Sequence, residues 1–378
     1  MKPKQEPPLL LKMSQGDPFP VRQACDNVAA GAGGREAGMA KESNARTAAQ
    51  NAPRGIAPNM ALLVERFGTE GACERHMLSL RWPGGFECPR CGHGSYARVS
   101  GRREFRCEGC GWQFSATSGT AIAHTKVPLT KWFRAAFMVC SDARGASAQA
   151  VARECGVSDL TAHAMLRRLR SAMGWAMRLC VVEGRWVEAD AASVPCASSP
   201  ARVYAPGRAP VMVAVSGSSL CARAVSDLAA GSLDEFFRQH VSRRCEVRTD
   251  GVRSQSRLAG GWDVVARPSA RDGDSEASLP AVHHAISNLK AKLAGTFHGV
   301  SWGRMQEHLD EFSWKYCHRR GDQMADLLAE VARWPHVPLS GVRSLAQPQP
   351  PHPPGRDRWY KRDNALLSAW LRSQEAAS

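Results

Sequence analysis

The chain has 378 residues, with 50 lysines and arginines against 35 aspartates and glutamates, a net charge of +15. It contains no apolar run of the roughly 18 residues that a membrane-spanning helix needs, and its first residues lack the apolar core of a secretory signal. The 13 cysteines are odd in number and mostly scattered, which argues against a disulfide framework and indicates a reducing cytoplasm. The positive charge favours nucleic acid as a partner, although a generally basic composition from a GC-rich genome would give a similar excess.

Composition and periodicity divide the chain into five predicted segments, which together indicate a multidomain α+β protein. Residues 1–57 form a basic tail rich in Pro, Gly and Ala, and residues 336–378 form a proline-rich tail; we predict both to be mostly disordered. Residues 58–120 are punctuated by cysteine and glycine after an expected helix over 60–80, and residues 121–180 are helical in period. Residues 181–335 contain short β-like runs followed by helical stretches at 280–295 and 304–317, which predicts a mixed α/β domain.

The second segment carries two Cys-x-x-Cys pairs, Cys88 with Cys91 and Cys107 with Cys110. Their spacing is typical of a zinc ribbon, in which four thiolates close a tetrahedron around Zn²⁺ and leave no open position, so the metal is structural. Gly92 follows the first pair, and Gly111 follows the second, where each turn needs a flexible residue. Chance pairing of cysteines is the weaker explanation. Zinc ribbons also bind RNA and protein, so the motif by itself does not establish a DNA partner.

Residues 147–169 have the pattern of a helix-turn-helix motif. Gly156 is expected to end the first helix, Val157 to fill the turn, and Ser158 to cap the second helix. An ordinary helical hairpin would show the same pattern, but the neighbouring ribbon and the basic charge favour DNA binding. The second helix is expected to expose polar and basic side chains to phosphates and base edges, namely Thr161, His163, Arg167, Arg168 and Arg170.

Acidic residues end two β-like runs in the second half of the chain. Glu188 and Asp190 alternate onto one face of the first run, and Asp250 stands before a glycine at the end of the second. Aspartates at the ends of neighbouring strands can share Mg²⁺, which prefers oxygen ligands and can activate a water or a 3′-hydroxyl. Either motif taken alone is weak, because Asp-Gly after a strand is more often a plain turn.

Several motifs in order resemble zinc-ribbon insertion-sequence transposases of the ISXO-like family, and the resemblance covers about residues 60–330. In the first half the matching stretches are Phe67-Gly68-Thr69-Glu70, Leu80-Arg81-Trp82-Pro83-Gly84-Gly85-Phe86-Glu87-Cys88, Phe114–Thr120 and Pro128–Phe133. In the second half they are Ile286-Ser287-Asn288-Leu289-Lys290, Gly295–Val300 and His308–Arg320. The resemblance is specific because unrelated motifs occur in the family's order.

The resemblance implies an RNase H-like α/β catalytic domain with a DDE-type triad. The family's first two aspartates correspond to Asp190 and Asp250, and its third position, a glutamate seven residues before a lysine, falls on His283 when counted back from Lys290. Asn288 is a second candidate for the third position. Glu276 and Glu307 are acidic alternatives outside the motif spacing. The residues that follow Asp190 also lack the family's run of glycine and lysine.

The implied function is DNA cleavage and strand transfer by an insertion-sequence transposase that uses two Mg²⁺ or Mn²⁺ ions besides the structural Zn²⁺. The implied partners are double-stranded DNA, as element ends and as target, and further copies of the chain, with no membrane. The implied location is the bacterial cytoplasm, on the nucleoid. The alternative is a DNA-binding protein with a decayed catalytic domain. A zinc-ribbon transcription factor would leave residues 185–320 unexplained.

Overall fold

The structure is a computed structural model that describes residues 60–178, 180–198, 207–225, 227–228, 230–250, 262–266, 279–297 and 300–334. Both predicted tails lie outside these ranges, as does Glu276. Within these ranges, no helix has the length and apolar character required to cross a membrane.

The ribbon is preceded by two helices where the sequence predicted one. Helix α1 covers Met60–Phe67 and α2 covers Glu70–Arg81. The break falls at Gly68, where an added Cβ would lie 2.3 Å from the carbonyl oxygen of Val64. Thr69 then caps α2, because its hydroxyl accepts a hydrogen bond from the amide of Ala72. Three short antiparallel strands follow, β1 (Tyr96–Arg98), β2 (Phe105–Cys107) and β3 (Gln113–Phe114), in the order β1-β2-β3.

Three helices form the next segment: α3 (Leu129–Ser141), α4 (Ala148–Cys155) and α5 (Asp159–Arg178). The predicted turn between α4 and α5 is confirmed in detail. Gly156 is left-handed, with φ 57° and ψ 53°, and the amide of Val157 donates to the carbonyl of Ala152. The hydroxyl of Ser158 accepts a hydrogen bond from the amide of Thr161 at 3.3 Å, so it caps α5.

The second half is built on a mixed sheet of β4 (Trp186–Ser198), β5 (Arg208–Ser216), β6 (Ser219–Ala224), β7 (Glu246–Thr249) and β8 (Asp263–Ala266). Their order is β6-β5-β4-β7-β8. Strands β4, β5 and β6 are antiparallel neighbours, whereas β7 is parallel to both β4 and β8. A two-residue strand, β9 (Val300–Ser301), pairs with the far end of β4. The β-like runs that the sequence shows at 185–189, 211–215, 245–249 and 262–266 each overlap a strand, but β6 was not predicted.

The two faces of the sheet are covered by different helices. Helix α6 (Ala230–His240), also not predicted, packs on the face that carries Val187 and Ala189. The other face carries Ala192 and Val194 and packs against α7 (Pro280–Gly295) and α8 (Trp302–Cys317). Helix α7 has the predicted bounds, and α8 begins two residues earlier than predicted. Glu188 and Asp190 have the same strand parity as Ala192, so they lie on the α7 face.

The last described helix, α9 (Gln323–Arg333), packs against helices from the first half of the chain. It packs against α2, α3 and α5, where Leu327 and Val331 are buried. Trp314, near the end of α8, is also fully buried in this core. Residues in the predicted α/β segment therefore complete the core around the predicted DNA-binding segment.

Candidate active site and zinc centre

The two cysteine pairs form matching turns. In the first, the amide of Gly92 donates to the carbonyl of Cys88 at 2.8 Å; in the second, the amide of Gly111 donates to that of Cys107 at 3.0 Å. Both glycines have φ of 73°, the left-handed conformation that glycine adopts without strain. The Cys88 and Cys107 side chains are buried, whereas Cys91 and Cys110 face the surface.

The four sulfurs have the spacing that zinc requires. The Sγ atoms of Cys88 and Cys110 are 3.7 Å apart, as are those of Cys91 and Cys107, and all four lie within 4.8 Å of one another. Tetrahedral zinc with Zn–S bonds of about 2.3 Å places its sulfurs about 3.8 Å apart. Among the described residues, no other group of three or more potential metal ligands lies so close together. The donor set therefore fits the predicted structural Zn²⁺.

A cluster of aromatic side chains packs around Phe114 in the ribbon. Phe114, only 3% exposed, stacks on Phe86 and Trp112 at centroid separations of 5.1 and 4.9 Å. Its ring edges also meet Trp82 and Tyr96. The zinc ribbon is so small that it would bury little apolar surface without these rings. Even with them, we expect it to need the metal in order to fold.

The two predicted catalytic aspartates belong to neighbouring parallel strands, but the prediction that Asp190 ends its strand is wrong, because β4 continues to Ser198. Asp190 lies within β4, and Asp250 is the first residue after β7. The parallel register pairs Glu188 with Arg248, so continuing it by two residues sets Asp190 opposite Asp250. Neighbouring strands are about 4.8 Å apart, and residues in register on parallel strands share a face. The fold thus places both aspartates on the α7 face of the sheet.

Glu188 has a role that sequence analysis did not identify. Helix α7 starts with Leu279 at its N-cap, an apolar residue whose own side chain makes no capping hydrogen bond. The carboxylate of Glu188 takes that role, accepting hydrogen bonds from the amides of Ala281 and Val282 at 2.8 and 3.0 Å. A carboxylate at a helix N-terminus also interacts favourably with the helix dipole. Glu188 therefore fixes the start of α7 on β4, two residues before Asp190.

His283, one turn into α7, is thereby brought to Asp190. Its Nε2 lies 3.5 Å from Oδ2 of Asp190, and both side chains are largely buried. Lys290 is seven residues further along and shares the His283 face of the helix. Asn288 points elsewhere, since five residues turn a helix by about 140° from His283, and it is exposed. Of the two candidates for the third position, the fold brings His283 to Asp190.

Asp190, Asp250 and His283 offer carboxylate oxygens and one imidazole nitrogen as potential ligand atoms. Oδ1 of Asp190 accepts a hydrogen bond from the amide of Ala191, while Oδ2 faces His283. In the described part of the chain, Asp190, Asp250 and His283 do not form a triad with all ligand atoms within 4.8 Å. Glu307, the acidic alternative within these residues, instead contacts Arg167 and Arg304.

The predicted exposure of the three arginines on α5 is wrong for Arg170 and unsupported for its neighbours. Arg170 is 4% exposed and its Nε lies 2.6 Å from the carboxylate of Glu311. Arg167 is paired with Glu307 at 3.5 Å, and Arg168 donates to the carbonyl of Ala123 at 2.8 Å. The cause is α8, which packs along α5 and supplies both glutamates.

The start of α5 is the part of this helix that solvent reaches. Ser158 and His163 are exposed, and Leu160 is 82% exposed, the largest value among the exposed large apolar side chains of the described residues. A helix-turn-helix protein inserts this end of its second helix into the major groove.

Comparisons with known proteins agree with this architecture. Residues 68–113 match the family model of the transposase zinc-ribbon domain, and residues 184–316 match that of the ISXO2-like transposase domain. An uncharacterized protein in transposable element ISH50 of Halobacterium salinarum is 31% identical over 77 residues, 20% of this chain and 26% of that protein. The chain therefore spans about a quarter of that relative's length.

Among solved structures, the crystal structure of a pre-cleavage Mos1 transpososome is similar over 50% of this chain and 75% of that chain, with 11% sequence identity and a TM-score of 0.19. The two family matches cover the ribbon and the sheet with its helices α6 to α8. They confirm the resemblance found in the sequence: a match to a transposase zinc-ribbon domain is followed by a match to an ISXO2-like transposase domain.

Proposed function

We propose that this chain is a metal-dependent DNA transposase that cuts the ends of an insertion sequence and joins them to target DNA. The proposal rests on the 3.5 Å approach of His283 to Asp190, and on the strand register that, continued by two residues, sets Asp250 beside Asp190, in a segment that matches a transposase domain. The mixed sheet, with two aspartates on adjacent parallel strands, supports the RNase H-like fold that the sequence resemblance implies.

Asp190 and Asp250 are proposed to hold the divalent ions, with His283 completing the site. Two bound ions would activate a water or a 3′-hydroxyl and stabilise the leaving oxygen of a phosphodiester. Each aspartate supplies a hard, charged oxygen, and a nearby cation favours its ionised form. Glu188 acts as a positioning residue, because its bonds to the first turn of α7 set the place of His283.

The turn and first residues of α5 are proposed to read duplex DNA. Leu160 is suited to the methyl group of thymine, and Thr161 and His163 to base edges or phosphates. Exposed Arg153 on α4 adds positive charge beside them. The ribbon would add non-specific contacts, and the element ends and target would bind to more than one copy of the chain.

A second function has one observation in its favour. An imidazole stands at the position where relatives carry glutamate, and its Nε2 is 3.5 Å from Asp190. An imidazole at this position does not bring the carboxylate charge that a divalent ion prefers. The chain would then be a DNA-binding protein with a decayed catalytic centre.

Substitutions of His283 separate the two functions. With His283 as a ligand, His283→Glu should preserve or raise Mg²⁺-dependent strand cleavage, because carboxylate oxygen suits Mg²⁺ better than imidazole does. His283→Ala should lower the cleavage rate by at least about tenfold, since even outer-shell partners of metal ligands contribute about that much. Initial rates on duplex DNA carrying the element ends would measure both changes.

Asn288→Ala is the matched control for this series. Asn288 is exposed on the same helix, so its removal should leave the cleavage rate near that of the unmodified chain. A severe loss in Asn288→Ala together with a silent His283→Ala would assign the third position to Asn288 instead.

The proposed function is tested by strand joining. A labelled duplex that carries a pre-cut element end is incubated with the chain, a target plasmid and Mg²⁺ or Mn²⁺. We expect covalent end-to-target products that disappear when the metal is chelated. A chain that binds the duplex tightly but yields no joined product with either metal is the decayed form.

A further inference from the structure

A cavity of about 160 Å³ lies where α4 and α5 meet β9 and the start of α8. The polar side chains that line it are Arg170, Arg304, His308, His163 and Ser301, and the ring of Phe297 forms one wall. On this measure a single water needs only about 10–15 Å³, so the cavity has room for a small polyatomic group. It does not include the aspartates of the proposed catalytic centre.

Positively charged side chains outnumber carboxylates around this cavity. Arg170 lies 2.6 Å from Glu311, which also pairs with Lys292 at 3.0 Å. Arg304 lies 3.6 Å from Glu307, which also faces Arg167 at 3.5 Å. Together with their ion-pair partners, the two lining arginines form a cluster of four cations and two carboxylates. Uncompensated charge inside a protein is costly, so an excess of two positive charges favours a bound anion.

Several members of this charged cluster are buried, so water cannot screen the excess positive charge. Arg170, Lys292 and Glu311 are each less than 5% exposed. Burial lowers the pKa of Lys292 to about 8, although Glu311 opposes the shift. Burial alone would raise the pKa of Glu311, but Lys292 and Arg170 hold it well below its ordinary value. The charge of Glu311 is therefore already engaged by Arg170 and Lys292, and the single charge of Glu307 is shared between Arg304 and Arg167.

The start of α8 faces the same cavity. Val300, Ser301 and Arg304 line it, and this 16-residue helix begins at Trp302. The hydroxyl of the N-cap residue Ser301 makes no capping bond to this first turn. The first amides of a helix point outward without partners and carry the positive end of the dipole, an arrangement that binds phosphate.

Two buried side chains of the cavity have unused polar atoms. Arg170 and His308 are each 4% exposed. Among the described residues, Nη2 of Arg170 and Nδ1 of His308 have no hydrogen-bond partner. Burial lowers the pKa of His308 well below its ordinary value, so the imidazole is neutral and one nitrogen can donate. Buried polar atoms are rarely left unpaired in native proteins, so these atoms indicate a missing partner.

We propose that this cavity binds a phosphate group, and that its source is the backbone of the bound DNA. The second part rests on the proposed function, since two of the cavity walls come from the α4–α5 motif that is proposed to read DNA. A phosphate there accepts hydrogen bonds from Arg170, Arg304, Ser301 and the first turn of α8. It would link the DNA-reading helices to the transposase domain, because α8 belongs to the latter.

Arg304→Gln tests the site with little risk to folding, because the Arg304 side chain is 34% exposed. Its control is Arg238→Gln, which removes the same charge from the exposed face of α6. In fluorescence anisotropy with duplex DNA, we expect Arg304→Gln to weaken binding by about tenfold, the effect of one charge-assisted hydrogen bond. The slope of log K against log salt should fall by about 0.9. Arg238→Gln should change neither quantity.

A second variant, Ala148→Glu, puts a carboxylate into the cavity at the first turn of α4, a position where acidic residues favour the helix. We expect the same loss of DNA affinity. For the site without DNA, the probe is inorganic phosphate. Phosphate should raise the unfolding temperature of the unmodified chain above its value in chloride at equal ionic strength. Arg304→Gln and Ala148→Glu should lose this rise.

The outcomes are distinct. If the unmodified chain binds DNA but Arg304→Gln and Ala148→Glu match Arg238→Gln in both assays, the cavity is not a phosphate site and the proposed function stands. If they lose the phosphate effect alone, the site takes free phosphate and the DNA source is wrong. If the unmodified chain does not bind DNA, the proposed function fails, and the phosphate assay still decides the cavity.

Discussion

Replacing Cys107 with serine should release the zinc and unfold the ribbon. The mutation removes one of four thiolates whose sulfurs have tetrahedral spacing, and Cys107 is itself fully buried. Structural zinc contributes an apparent free energy of about 10–16 kcal/mol in isolated zinc fingers, more than this small aromatic cluster can replace. Elemental analysis should find about one zinc per unmodified chain and much less in the variant. Circular dichroism and limited proteolysis should show loss of structure around residues 86–114.

Cys155→Ser provides the matched control, because Cys155 is also buried but lies at the end of α4, outside the ribbon. It should keep its zinc. Chelation of the unmodified chain should reproduce the Cys107→Ser phenotype, since the loss of either ligand or metal empties the same centre. Full zinc content in Cys107→Ser would show that the four cysteines do not form the site.

Replacing Asp190 with asparagine should abolish strand joining while DNA binding is kept. Asparagine preserves the shape of the side chain but removes the charge that a divalent ion requires. Because outer-shell partners already contribute about 10–100-fold, the loss of a direct ligand should exceed about 100-fold. Asp250→Asn should behave in the same way. Joining rates and dissociation constants, measured with the same duplex, separate catalysis from binding.

Asp263→Asn is the control for this change. Asp263 starts β8 in the same sheet and is exposed, and its register partner on β7 is Glu246, four residues before Asp250. It should join strands at the rate of the unmodified chain. If Asp190→Asn also joins strands at an undiminished rate, the catalytic assignment is lost and the DNA-binding alternative remains.

Features fixed by nearby residues could be predicted from the sequence. The left-handed Gly156, the cap at Ser158 and the paired cysteine turns each depend on a few consecutive residues. The bounds of α7 followed from its periodicity, and Pro280 in its first turn is compatible with a helix start. The break between α1 and α2 was missed because a glycine within a helical pattern is usually tolerated, whereas here Gly68 approaches a carbonyl closely.

Features that depend on distant residues could not be predicted. Periodicity showed that Arg170 lies on a helix, but not that Glu311, 141 residues later, would pair with it. The cap of α7 comes from Glu188, 93 residues before the amide of Ala281. In retrospect, an apolar residue at the N-cap of α7 was a signal that a capping group had to come from elsewhere. The return of α9 to the first core also means that a fragment ending near residue 180 would lack part of that core.

The most direct test of the central claim is metal-dependent strand cleavage by the unmodified, full-length chain. The substrate is an uncut duplex that carries the element ends, labelled at one strand, and the products are separated under denaturing conditions. We predict specific nicks at the element boundary with Mg²⁺ or Mn²⁺, and uncut DNA when the metals are removed by a chelator. Specific binding to the same duplex without any nick under either metal would contradict the claim.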